Sequence, residues 1–126
     1  MAHLILLAHG SHNADAAKEV VDLAAHLDRK VLDHRMSYAY LDLAKPSLAD
    51  AIEEIALGGA EEVYVLPLFL HAGRHVTHDI PAMLVEARRR HPLITFHLLQ
   101  HLGAYPGFLG LIAEIAAHPE RFTVTP

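Results

Sequence analysis

The chain reads as an α/β three-layer sandwich on a four-stranded parallel sheet, and three observations carry that reading. Hydrophobic periodicity switches between two and 3.6 residues four times within 126 residues. Each strand-like run is followed by a helix-like one, the order that parallel βαβ units produce. Glu62–Leu70, EVYVLPLFL, is almost continuously apolar, which suits a central strand covered on both faces.

The elements follow in order. Leu4–Ala8 is an apolar run that reads as the first, buried strand. Asn13 to about Arg29 predicts a helix: Val20, Ala24 and Leu27 share one face, and Asn13 or Ser11 can cap it. From about His34 to Leu41, Met36, Tyr38 and Tyr40 recur at period two, a second strand. Pro46-Ser47 opens a helix with Leu48, Ile52, Ile55 and Ala56 on one side, and Gly58-Gly59 ends it. In the third strand Pro67 lacks the N–H a ladder needs, so regular pairing should weaken there. A third helix is expected within Thr77–His91, with Ile80, Leu84 and Ala87 as its apolar stripe and Pro81 in its first turn. Ile94–Leu99 predicts the fourth strand, and Phe108, Ile112 and Ile115 lie on a last helix that Pro119 must end.

Composition narrows the function. The length suits one domain, residues 1–126, with a real core. No apolar stretch approaches the roughly 18 residues of a membrane span, and the N-terminal run is too short for a signal peptide. The absence of cysteine rules out disulfides and thiolate metal ligands, so a cytoplasmic protein is expected. A net charge of −5 argues against nucleic-acid binding through overall basicity. Twelve histidines are the anomaly.

In a parallel sheet all strands end on one edge, and open α/β folds bind ligands there. The first strand delivers His9-Gly10-Ser11-His12 to that edge, and the second delivers Asp42. The third delivers HAGRHVTHD, with His71, Gly73, Arg74, His75, His78 and Asp79; Gln100 and His101 follow the fourth. Imidazole binds Co, Ni, Fe and Zn ions and titrates near neutrality, so it serves as ligand or proton acceptor. Each residue also has a plain structural reading. A strand-end histidine can be a hydrogen-bonded loop residue, HGS a tight turn with a helix cap, and Asp42 a turn cap before Pro46. The spacing His71-x3-His75 is a weak metal signal because Gly73 intervenes and the segment reads as a loop. His9 and His75, on adjacent strands, are the pair least well explained by structure alone.

Ala8 precedes His9, where histidine phosphatases carry Arg-His-Gly. No G-x-S-x-G elbow, P-loop or G-x-G-x-x-G is present, which disfavours serine-hydrolase and nucleotide chemistry. Metal or proton chemistry on an anionic organic ligand remains, with Arg74 as the candidate anion contact.

LLAHGSH, LDLAKPSLADAI, GAEEVYVLPLFLHAGRHVTHDIP and HLGAYPGFLGLI, in that order, resemble the short CbiX-type sirohydrochlorin chelatases of the class II tetrapyrrole chelatases. The likeness covers nearly the whole chain, and the G-R-H-V-x-x-D-I-P segment is its most specific part. It implies a chelatase-like, flavodoxin-like half-domain that inserts a divalent metal into a carboxylate-rich tetrapyrrole without ATP. The metal is a substrate: Co2+ toward cobalamin, Fe2+ toward siroheme, or Ni2+. By the same resemblance His9 and His75 are the metal-binding and catalytic histidines. Asp42 takes the acidic catalytic position where Glu is expected. Gly10, Ser11, His12, Ser47, Gly73 and Arg74 are expected around the substrate's carboxylates. His12 stands where Arg is common. Longer relatives carry two such halves, so a homodimer with paired copies of His9 and His75 is implied. The rivals are a histidine-based cobalt or nickel carrier without catalysis, and a flavodoxin-like module for a small anion.

Overall fold

The computed structural model of the chain describes residues 2–31 and 33–125. Its strands are β1 (Ala2–Ala8), β2 (His34–Tyr40), β3 (Glu62–Pro67) and β4 (Thr95–Leu98). Its α-helices are α1 (Ala14–Lys30), α2 (Leu48–Leu57), α3 (Ile80–Arg90) and α4 (Pro106–Ala117). All pairings are parallel and the strand order is β2-β1-β3-β4, so β1 and β3 are the inner strands. Four parallel strands between helical layers is the expected sandwich.

Strand parity decides the layers. Ile5 and Leu7 of β1, Ala39 of β2, Val63 and Val65 of β3 and Phe96 of β4 join one core with Ile52 and Ile55 of α2 and Ile80 and Leu84 of α3. The other face carries Leu4, Leu6, Tyr38 and Tyr40 by register, and α1 lies on it. There the Tyr40 hydroxyl donates to the Ala17 carbonyl at 2.8 Å, joining β2 to α1. Burying these side chains, at about 25 cal/mol per Å² of apolar surface, is what holds helices to sheet.

The caps follow local chemistry. Asn13, not Ser11, caps α1: its Oδ1 accepts from the Asp15 and Ala16 N–H groups at 2.9 and 3.1 Å. Ser11 Oγ supports it one step earlier by accepting from Asn13 N–H at 3.0 Å. Ser47 Oγ caps α2 through Asp50 N–H at 3.1 Å. The third strand is shorter than its apolar run. Pairing ends at Leu7↔Pro67, after which Leu68 N–H makes one more bond to Leu7 O at 2.8 Å. Proline's missing N–H accounts for the early stop.

Two expectations need correction. His75–Asp79 is a π-helical turn running directly into α3, so this segment is helical and not a loop. The last helix forms where expected, yet Leu109, Leu111, Ile112 and Ile115 on it are all exposed. Among the described residues no helix is long and apolar enough to cross a membrane.

Candidate metal centre at the strand ends

The carboxyl edge is built by backbone before any side chain acts. Leu41 N–H donates to Ala8 O and Asp42 N–H to His9 O, both at 2.9 Å, which carries the β1–β2 ladder past the strands. That approach leaves no room at Gly10. A Cβ there would lie 1.7 Å from the Asp42 carbonyl oxygen, and its φ of +106° is a glycine conformation. The glycine in HGS is therefore required by strand closure.

His75 reaches the same place from the other inner strand. The chain leaves β3 at Pro67, and the π turn begins at His75. The His9 and His75 rings stand 5.1 Å apart at 65°. Phe69 lies against the His75 ring at 6.2 Å. Two nitrogens each about 2.1 Å from one ion would sit roughly 3–4 Å apart, a separation that rings this close can supply.

The hydrogen bonds fix the tautomers. His75 Nδ1 lies 2.9 Å from Asp79 Oδ2, and a carboxylate only accepts, so Nδ1 carries the proton. His9 Nδ1 lies 3.3 Å from the Gly10 carbonyl, which also only accepts. Both rings therefore keep their Nε2 lone pairs for a ligand, and Asp79 holds His75 as second-layer carboxylates hold metal-bound histidines. Asp79 also meets His78 Nδ1 at 3.4 Å.

The remaining candidates are distributed unevenly. The carboxylate that meets this histidine pair is Asp79, whereas Asp42 Oδ1 accepts from Leu43 N–H at 2.8 Å and Asp42 meets His9 through backbone. Arg74 is exposed on the turn before His75 and has no ion-pair partner among the described residues. The Gly73 carbonyl accepts from Val76 and Thr77 N–H at 3.1 and 3.0 Å, so it anchors the π turn. His12 is exposed. Ser11 and Ser47 have their hydroxyls in caps, at the N-termini of α1 and α2. Sequence reading placed Asp79 at this edge but gave it no role beside His75. Its signal was present, because His75-x3-Asp79 is the spacing of facing residues on a helix.

Among the described residues no third His, Cys, Asp or Glu completes a metal cage. His9 and His75 do not line the cleft that runs between α2 and α3 past Ile52 and Met83. Both histidines are exposed at this edge and offer two nitrogen donors per chain.

Fold and edge together define a class: an α/β protein that presents paired imidazoles at the strand ends of a parallel sheet. The chain belongs to the CbiX family, whose model, described as CbiX, matches residues 3–118. It is similar to the sirohydrochlorin cobaltochelatase of Methanothermobacter thermautotrophicus, 36% identical over 81 residues, which are 64% of this chain and 56% of that protein. It is also similar to the chloroplastic sirohydrochlorin ferrochelatase of Arabidopsis thaliana, 27% identical over 115 residues, 91% of this chain and 51% of that protein. The chain thus spans little more than half the length of either relative. Among solved structures, the CbiX protein from Marinobacter aquaeolei VT8 superposes with a TM-score of 0.82 at 31% identity, covering 98% of this chain and 100% of that one.

Proposed function

We propose that this chain inserts a divalent metal, cobalt foremost, into sirohydrochlorin without ATP, as a cytoplasmic homodimer serving cobalamin synthesis. The observation that carries the reading is the His9–His75 pair, 5.1 Å apart, with both Nε2 atoms left free by their Nδ1 hydrogen bonds. The cobaltochelatase relative supports the choice of metal. The ferrochelatase relative supports Fe2+ as the alternative, toward siroheme.

The reaction exchanges one M2+ for two pyrrole N–H protons. The metal must shed water, and the ring must bend so that its nitrogens face the ion. In this reading His9 and His75 hold the hydrated ion on one face of the macrocycle. Imidazole is a borderline ligand, able to bind Co2+ or Fe2+ and to give it up to four converging nitrogens. As a ring releases the metal, its freed Nε2 accepts a departing proton, the general-base role of an imidazole. Asp79 steadies the imidazolium formed on His75. Asp42, at the surface beside the His9 backbone, takes the second proton or passes it to water.

The macrocycle's carboxylates fall to Gly10, Ser11, His12, Ser47, Gly73 and Arg74. Arg74 supplies charge, and the α1 and α2 N-termini near Ser11 and Ser47 supply partial positive charge. One open edge buries a tetrapyrrole poorly, so a second copy closing over it completes the site.

The test is anaerobic absorbance of sirohydrochlorin with Co2+, Fe2+ or Ni2+, with and without protein. Loss of the free-base spectrum accelerated by protein, fastest with Co2+, is expected. Metal binding without acceleration by any of the three would leave a carrier and refute the enzyme.

A further inference from the structure

One leucine at the carboxyl edge is held in a conformation that suits glycine. Among the described residues Leu43 is the only non-glycine with positive φ, at +65°. Ala44 N–H donates back to Asp42 O at 2.8 Å, an i to i+2 bond that closes a γ-turn with Leu43 at its centre. A γ-turn at positive φ is the rare, strained form, because a Cβ crowds the backbone there. Such strain persists only where the surroundings impose it. Here they do: Asp42 N–H is bonded to His9 O at 2.9 Å, Asp42 Oδ1 accepts from Leu43 N–H at 2.8 Å, and Tyr40 N–H donates to Pro46 O at 2.9 Å.

Glycine at position 43 would relieve the strain, so the leucine side chain has a use that offsets it. Packing within the chain is a poor candidate. Leu43 is 43% exposed and is no part of the buried core, against which Leu41 packs two residues earlier. Its place in the fold points to the ligand instead. The strand order β2-β1-β3 lines up the turn after β2, His9 after β1 and the segment to His75 after β3 along one edge. Neighbouring strands run about 4.8 Å apart, so the turn leaves the sheet one such step from the exit of β1. Leu70, which follows β3 on the far side of β1, is 54% exposed.

We propose that Leu43 is a substrate contact, a rigid apolar side chain against which the flat face of the tetrapyrrole rests beside the histidine pair. This rests on the chelatase reading and adds a residue that meets the ring itself and not its rim. A carboxylate-rich macrocycle is charged at its rim, but its face is an extended apolar surface. The residues assigned to the substrate so far, Gly10, Ser11, His12, Ser47, Gly73 and Arg74, are polar or lack a side chain. None of them takes that face out of water, and a leucine does. The strained turn makes the contact preorganised. Its hydrogen bonds fix Leu43 before the ligand arrives, so little freedom is lost on binding.

The test compares Leu43→Gly, Leu43→Asn and Leu43→Met with the unmodified chain in anaerobic absorbance titrations of metal-free sirohydrochlorin. Asparagine tolerates positive φ, so Leu43→Asn stands in if Leu43→Gly fails to fold. The glycine and asparagine variants are expected to lose about 10-fold or more in affinity, the share of a buried leucine. Methionine is apolar and of similar volume, and Leu43→Met should stay within about threefold. Co2+ affinity and the urea midpoint should hold in all three. Leu93→Ala, an exposed leucine ahead of β4 on the opposite edge, serves as control and should change nothing. Affinity within about twofold in both the glycine and asparagine variants overturns the contact and leaves the chelatase reading standing. A fall in Co2+ affinity as large as that for the macrocycle also overturns it, because the turn then serves His9 and not the ring. An unmodified chain that fails to bind sirohydrochlorin overturns both.

Discussion

His75 donates its Nδ1–H to Asp79 Oδ2 across 2.9 Å, within one turn of the π-helical segment that leads into α3. The carboxylate leaves the Nε2 lone pair for a ligand and raises its strength as one. Asp79→Asn is therefore expected to lower Co2+ affinity by about 10-fold or more while the fold survives, since loss of such a partner costs 10–100-fold. Isothermal titration with Co2+ checks it, with the urea midpoint as control. An unchanged affinity would remove Asp79 from the site.

Gly10 makes a second, purely steric prediction. Gly10→Ala sets a Cβ against the Asp42 carbonyl and forces alanine to φ +106°. Strain of about 1–3 kcal/mol is expected at minimum, together with displacement of His9. Equilibrium urea unfolding measures the first effect and Co2+ affinity the second.

Tyr40 ties sheet to helix. Burial, with Tyr38 beside it, pushes the phenol's pKa up, so it stays protonated and donates to Ala17 O. Tyr40→Phe deletes that bond within the β2–α1 layer, and a loss of about 1 kcal/mol is expected from chemical denaturation. Metal affinity should not change.

His3 gives the pH dependence. Burial within β1, then the Arg35 guanidinium across the β1–β2 register, hold its pKa below the ordinary 6.5, with Asp28 pulling the other way. The unfolded chain therefore takes the proton more readily than the native one. Stability from this residue is complete above about 6.5 and falls as pH drops through that value toward the lower folded pKa. The urea midpoint should decline from about pH 7 to about pH 5, and less steeply in His3→Gln. An equal slope in both proteins would refute the assignment.

Much of this was legible in the sequence, for physical reasons. Period-two and period-3.6 patterns report which faces are buried, so Ile5, Val63, Ile52 and Leu84 revealed the layers, and parallel topology brought His9 and His75 to one edge. The tautomers were not legible. They depend on where the Gly10 carbonyl and the Asp79 carboxylate point, which backbone geometry decides. The role of Asp79 was hidden by Gly73, which made a helical turn look like a loop. The exposure of α4 was hidden for another reason: Phe108, Ile112 and Ile115 show that a helix must be covered, and say nothing of what covers it.

The central claim is that His9 and His75 act as one metal-holding unit, and insertion kinetics in four proteins test it most directly. The rate of Co2+ insertion into sirohydrochlorin is measured for the unmodified chain, His9→Ala, His75→Ala and the double variant. Ligands to one ion are not additive, so each single change should lose about as much as both together, about 100-fold or more. A single variant within about twofold of the unmodified rate, or losses that simply multiply in the double variant, would contradict the account.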